Sequence, residues 1–205
     1  MIAVIDYGGG NIQSVYKALK FLGCECKITD DKNEIINADG AILPGQGSFG
    51  DCVNSMREKG LDEAVTKFIE SGKPFLGICV GLQLLFENSE ETPETAGFSV
   101  FKGKIKKIPN GEGLKIPHMG WNSISILNDG GIFKGIENNS YVYFVHSYYL
   151  AAEDKSIVSA QTEYGVKIDA AVCCKNVTAT QFHPEKSGET GLKMLRNFAD
   201  MCEVE

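Results

Sequence analysis

Phe75-Leu76-Gly77-Ile78-Cys79-Val80-Gly81-Leu82-Gln83 is the stretch on which the reading of the chain turns. Phe75 to Ile78 is a short apolar run, the length of one buried strand rather than of a helix. It leads into Cys79, with Gly77 and Gly81 on either side. Leu82-Gln83-Leu84-Leu85-Phe86 follows as an amphipathic stretch and is expected to be helical. Strand, sharp turn and helix with a reactive side chain at the apex is the geometry of a nucleophile elbow. The flanking glycines suit a strained turn that leaves no room for Cβ atoms. A helix starting just after Cys79 turns its free N–H groups and positive dipole end toward the sulfur, which favours the thiolate. Taken alone, the stretch fits a buried structural cysteine equally well, because cysteine is among the most buried residue types.

Working outward, apolar runs and helical spacings alternate up to the elbow. Ile2 to Ile5 reads as a buried strand followed by Asp6-Tyr7 and a triple glycine. Asn11 is placed to cap a helix carrying Ile12, Val15, Tyr16, Leu19 and Leu22, ended by Gly23. Strands are expected at Cys26 to Thr29 and Ala41 to Leu43. Two helical patterns, broken at Gly60, lie between Phe49 and Ser71. This alternation predicts an open α/β sheet with parallel strands and right-handed crossovers. After about residue 97 the pattern changes to Lys104–Ile108, Asn122–Leu127, Tyr141–Val145, Ile157–Thr162 and Val166–Cys174, read as strands with hairpin-like connections. A strand at Thr178–Phe182 then leads to His183, and a final helix carries Leu192, Leu195, Phe198 and Cys202. The second half is expected to extend the same sheet in mixed or antiparallel fashion. With no linker or internal repeat, residues 1–205 are read as a single domain.

The 43% hydrophobic content of the 205 residues supports a sizeable core. A net charge of -7 with no basic cluster argues against nucleic acid or an anionic membrane as partner. No apolar run approaches spanning length, and Asp6 interrupts the first one, so neither a membrane segment nor a signal peptide is expected. The 7 cysteines are odd in number, contain no CxxC pair and are accompanied by only 3 histidines. No metal site, no cofactor and a reduced, cytoplasmic setting follow as expectations. Gly45-Gln46-Gly47-Ser48-Phe49-Gly50 matches the letters of a dinucleotide fingerprint. That motif needs an acidic residue at the end of the next strand, and here the next strand ends at Cys79. The hexapeptide is therefore read as a turn able to direct backbone N–H groups toward a neighbouring site.

A cysteine nucleophile needs a base, and His118, His146 and His183 are the candidates. His183 stands in Gln181-Phe182-His183-Pro184-Glu185, where the carboxylate two residues on can turn back to the imidazole. In an open parallel sheet the strand carboxyl ends share one edge, so His183 and Cys79 can meet above it. Gly77-x-Cys79-x-Gly81-Leu-Gln83 with His183-Pro-Glu185 resembles the class I, or triad, glutamine amidotransferases. Asp6-Tyr7-Gly8-x-Gly10-Asn11, Pro44-Gly45-x-Gly47-Ser48-Phe49, Pro117-His118-Met119-Gly120-Trp121-Asn122 and Tyr143-Phe144-Val145-His146-Ser147-Tyr148 are similar to one subfamily, the glutaminase subunits of imidazole glycerol phosphate synthase. The resemblance runs through nearly the whole chain in the right order and implies a flavodoxin-like open mixed sheet flanked by helices.

It also implies roles. Cys79 would be the nucleophile, His183 the general base and acid, and Glu185 the orienting carboxylate. Backbone N–H groups of Val80 and of the Gln46–Gly47 segment would form the oxyanion hole. Gln83, Glu91 and the Ser147–Tyr148 backbone would hold glutamine, with Glu87, Glu90 and Glu94 close to Glu91 in sequence. Asn11, Pro117, Met119, Trp121 and Lys186 would face a (β/α)8-barrel cyclase in a heterodimer. Val80, Leu82 and Gln46 depart from the commonest family pattern; Gln46 falls on the expected oxyanion segment. Trp121, the sole tryptophan, is read as lying in a loop at a contact surface. Glutaminases of anthranilate or aminodeoxychorismate synthases share the triad but not the Met119-Gly-Trp-Asn122 stretch. A paralogue for surface-polysaccharide synthesis shares most motifs, and a stand-alone cysteine hydrolase is the reading from another class.

Overall fold

The structure, a computed structural model, describes residues 1–111 and 113–203. Its first half runs β1 (Ile2–Ile5), α1 (Ile12–Phe21), β2 (Cys26–Thr29), α2 (Lys32–Asn37), β3 (Gly40–Gly45), α3 (Phe49–Glu58), α4 (Leu61–Glu70), β4 (Phe75–Cys79) and α5 (Val80–Gln83). The second half contributes β5 (Asn88–Ser89), β6 (Gly103–Lys107), β7 (His118–Ser123), β8 (Ser125–Ile126), β9 (Tyr141–His146), β10 (Tyr148–Ala152), β11 (Val158–Glu163), β12 (Lys167–Cys174), β13 (Val177–Thr180) and α6 (Gly188–Cys202). An eight-stranded sheet has the order β2-β1-β3-β4-β13-β12-β11-β8. Its first five positions repeat the doubly wound order 2-1-3-4-5, with β13 in the fifth place. β1, β3, β4 and β13 are buried at every position, as strands covered on both faces must be. β1, β3 and β4 are legible as apolar runs without any alternation, whereas β13 buries Thr178 and Thr180 alongside Val177 and Ala179.

α1 packs against α6, whereas α2, α3 and α4 pack among themselves, so the two helix groups cover opposite faces. The apolar stripe Ile12, Val15 and Leu19 explains α1. Asn11 occupies the position before it without capping it: its side-chain oxygen accepts from the Ser14 hydroxyl at 2.7 Å, not from a backbone N–H. α2 escaped the sequence reading because it buries only Ile35; its start is set by Asp31, whose carboxylate accepts the N–H groups of Asn33 and Glu34.

Four further expectations are corrected or narrowed. The helix expected over Leu82–Phe86 is only the short α5, which unwinds into turns after Gln83. Leu82, Leu84, Leu85 and Phe86 are all fully buried, so tertiary burial rather than an amphipathic stripe shapes this segment. The antiparallel extension of the main sheet consists of β12, β11 and β8 alone, while β10-β6-β5 and β7-β9 form separate small sheets. Asn122–Leu127 is not one strand: it breaks at Ile124, which plunges into the core as the chain passes from β7 to β8. Trp121 sits on β7, not in a loop; Pro117 and Gly120 obscured an alternation in which His118 points inward and Met119 and Trp121 outward.

Candidate active site

Cys79 closes β4 with φ 56° and ψ -108°, a conformation that typically costs about 1–3 kcal/mol and is held only where the surroundings impose it. The constraint is visible in the packing. β3 pairs with β4 so that Gly45 lies opposite Cys79, and the first turn of α5 is pressed onto β3. A Cβ on Gly81 would overlap the Leu43 carbonyl oxygen, and one on Gly45 would lie 2.5 Å from the Gly81 nitrogen. The glycines of the elbow and of the Gly45–Gly50 stretch thus answer to each other.

β13 runs parallel to β4, pairing Thr180 with Ile78, so the chain leaves the sheet edge beside Cys79 and delivers His183 there. Pro184 opens a single 3-10 turn that carries Glu185. The His183 Nδ1 and Glu185 Oε1 atoms are 2.8 Å apart, and both side chains are almost wholly buried. The His183 N–H donates to the Tyr143 carbonyl at 3.0 Å, and the Ser187 hydroxyl donates to the His183 carbonyl at 2.6 Å, which fixes the ring's backbone. The other ring nitrogen, Nε2, is buried without a hydrogen bond, as is Glu185 Oε2. Burial pulls the His183 pKa down, but the Cys79 sulfur and the Glu185 carboxylate outweigh it and leave the value raised.

Cys79 and His183 line a cavity of about 240 Å³ that also takes in Gln46, Gly47, Val80, Gln83, Glu91, Pro117, Val145, His146, Ser147 and Tyr148. Gln83 Nε2 donates to the Tyr148 carbonyl at 3.2 Å and to Gln181 Oε1 at 3.1 Å. Gln181 Nε2 in turn lies 3.6 Å from the Cys79 sulfur. Gln181 carries no role in the sequence reading, although its place two residues before His183 puts it on the same side of the strand exit. Among the neighbouring acids only Glu91 faces the cavity, where its carboxylate accepts the Phe49 N–H at 2.7 Å at the start of α3. Glu87 and Glu90 instead accept backbone N–H groups of Gly103 and Lys107, and Glu94 is exposed. The Gln46 carbonyl is turned toward the Cys52 thiol, 3.8 Å away, and Gly47 has φ 121°.

The Glutamine amidotransferase class-I family profile matches residues 3–202. The chain belongs to this family. It is 53% identical over 201 residues to "Imidazole glycerol phosphate synthase subunit HisH" of Caldanaerobacter subterraneus subsp. tengcongensis, covering 98% of each chain. It is 48% identical to the subunit of the same name from Syntrophotalea carbinolica, covering 98% of this chain and 100% of that one. Among solved structures, one described as a glutamine amidotransferase superposes with a TM-score of 0.77 at 21% identity over 100% of both chains. "Structure of PurLQS from Thermotoga maritima" superposes with a TM-score of 0.76 at 25% identity over 98% of both chains. The fold is that of the class-I amidotransferases, with the mixed sheet and flanking helices expected from the resemblance.

In this amidotransferase the residues expected at a partner surface fall into two groups. Met119 and Trp121 are 62% and 55% exposed on β7, and Trp121 meets the Tyr143 ring edge-on at 6.2 Å. Lys186 Nζ sits 6.0 Å from the centre of that same ring. Pro117 is exposed but also walls the cavity, and the Asn11 amide reaches Glu185 Oε1 at 3.5 Å. These two therefore lie between the surface and the Cys79–His183 site. Among the described residues, no helix is long and apolar enough to cross a membrane.

Proposed function

We propose that this chain hydrolyses glutamine to glutamate and ammonia through a Cys79 thioester. It hands the ammonia to a (β/α)8-barrel cyclase subunit that forms imidazole glycerol phosphate and aminoimidazole carboxamide ribotide in histidine biosynthesis. The observation that carries the reading is the buried His183–Glu185 pair, its free Nε2 beside a cysteine held at a strained elbow. The near-full-length identity to named subunits of that synthase supports the choice of pathway.

Cys79 gives its thiol proton to His183 Nε2 and attacks the side-chain amide carbon of glutamine, whose carbonyl oxygen takes up negative charge. The Val80 N–H, at the first residue of α5, and an N–H from Gln46–Gly47 receive that charge; losing one such donor typically raises the barrier by about 2.7–4 kcal/mol. His183 passes its Nε2 proton to the departing nitrogen as the tetrahedral intermediate collapses, so ammonia leaves and a glutamyl thioester remains. Water then gives a proton to His183, attacks the thioester and releases glutamate and the thiolate. Glu185 holds the imidazole orientation through Nδ1. Gln83, Glu91 and the Ser147–Tyr148 backbone hold the glutamine, whose ammonium suits the Glu91 carboxylate. Ammonia in neutral water is mostly protonated and no longer nucleophilic, which is why a docked acceptor is needed. Asn11, Pro117, Met119, Trp121 and Lys186 form the side that meets it. The chain works as one domain, in the cytoplasm, in a heterodimer.

The test is glutamate release by the chain alone, with the cyclase, and with the cyclase and its ribotide. Strong stimulation in the last arm is expected. Equal, full hydrolysis in all three arms would overturn the partnered glutaminase and favour a stand-alone hydrolase.

A further inference from the structure

His118 and His146 face each other across the β7–β9 ribbon, where they are direct register partners. The His118 Nδ1 and His146 Nε2 atoms are 2.9 Å apart. His146 Nδ1 lies 2.9 Å from the Tyr148 carbonyl oxygen, and the Asn122 amide nitrogen lies 3.3 Å from His118 Nε2. A carbonyl only accepts, so His146 Nδ1 carries a hydrogen. Burial lowers both imidazole pKa values, to about 4 for His118 and about 3 for His146, so each ring is neutral at pH 7 with a single N–H. His146 Nε2 must then accept, His118 Nδ1 must donate, and His118 Nε2 accepts from Asn122. Each ring nitrogen is left with one role only, and both rings hold the Nδ1–H tautomer.

The chain of hydrogen bonds continues inward. The Tyr148 carbonyl also receives Gln83 Nε2, Gln83 meets Gln181, and Gln181 meets the Cys79 sulfur. Its outer end is the strand that presents Met119 and Trp121 to solvent. The His118 ring is itself clamped between Tyr164 and Phe144, with centroids 3.9 Å and 4.7 Å away. We propose that His118 and His146 are positioning residues: their fixed tautomers aim the Tyr148 carbonyl, and through it Gln83, at the glutamine pocket from the strand that faces the partner. The proposal rests on the reading of that cavity as a glutamine site.

Two substitutions separate hydrogen bonding from packing. His118→Phe keeps a ring between Tyr164 and Phe144 but removes the donor to His146. His118→Asn keeps an N–H near the Nδ1 position and gives up the stack. In the complex with the cyclase, His118→Phe is expected to raise KM for glutamine about tenfold, with kcat within about twofold, while His118→Asn stays near the parent KM. The reverse ranking, equal effects, or no effect of either variant overturns the proposal. Nitrogen-15 spectra of the labelled full chain at pH 7 decide it independently, even if a variant fails to fold: two neutral Nδ1–H rings are expected, and an Nε2–H or charged ring at either position overturns it. If the parent complex hydrolyses no glutamine, the functional reading falls, and the tautomers still report on the hydrogen-bond chain.

Discussion

His183 and the pair His118–His146 are buried to nearly the same depth, with exposures of 1%, 3% and 6%, yet their pKa values move in opposite directions. Burial pulls all three down. Only His183 has partners that favour its charged form, the Cys79 sulfur at the end of the parallel sheet and the Glu185 carboxylate. The two ribbon histidines have each other and a carbonyl, which order protons without stabilising an added charge. One region of the pocket can thus hold and release a proton, and the other keeps its protons in place. The same residue type serves chemistry or positioning according to whether a carboxylate stands behind it.

Removing the sulfur is the largest disturbance. Cys79→Ala is expected to lower glutamate release by about 10^4-fold or more, because nucleophile loss leaves only binding and the oxyanion donors. Ammonia-dependent synthesis by the complex should persist; retained glutaminase activity would sink the assignment. Glu185→Gln comes next. A neutral amide no longer favours the imidazolium, so the His183 pKa should fall toward the values of the ribbon pair, and kcat by about 10^2–10^4-fold. Histidine NMR titration checks the first effect and steady-state kinetics the second. A His183 pKa unchanged in this variant would mean that the carboxylate is not what separates the two regions.

The two regions were unequally legible in the sequence. The parallel half announced itself through fully apolar strands such as Ile2–Ile5 and Phe75–Ile78, and the elbow through glycines that close approach makes necessary. His183 and Glu185 could be paired from their spacing because a proline turn brings i and i+2 together. The ribbon was read poorly. Pro117 and Gly120 disguise β7 as a loop, and Ile124 interrupts what looks like one strand. His118 and His146 are far apart in sequence, so only the register of two strands joins them. Gln181 was hidden for a similar reason: it lies just past β13, and its contact with Cys79 depends on β13 running beside β4.

A third substitution asks whether the regions are mechanically separate. Gly81→Ala drives a Cβ into the Leu43 carbonyl, backbone that cannot swing away as a side chain would. A loss of about 2–3 kcal/mol in denaturant unfolding is expected. The nitrogen signals of His118 and His146 should nonetheless stay in place, since β7 and β9 pair with each other rather than with the main sheet. Movement of both sets of signals would show that the elbow and the ribbon deform together.

The smallest expected effect on the isolated chain comes from Trp121→Ala, and it bears on what the ribbon is for. Trp121 is more than half exposed and meets Tyr143 edge-on, beside Lys186, so truncation should leave unfolding free energy within about 0.5 kcal/mol of the parent. A tryptophan at the centre of an interface typically contributes about 2 kcal/mol or more, which corresponds to roughly thirtyfold weaker binding of the cyclase. Titration calorimetry against the cyclase measures this directly. The His183 pKa should not move, because Trp121 is not among the groups that set it. Weaker binding with an unchanged His183 would make the outer face of β7 a docking surface whose inner face, through His118, holds the pocket. Unchanged affinity and unchanged stimulation would leave β7 as a pocket wall alone and remove the partner from its outer face.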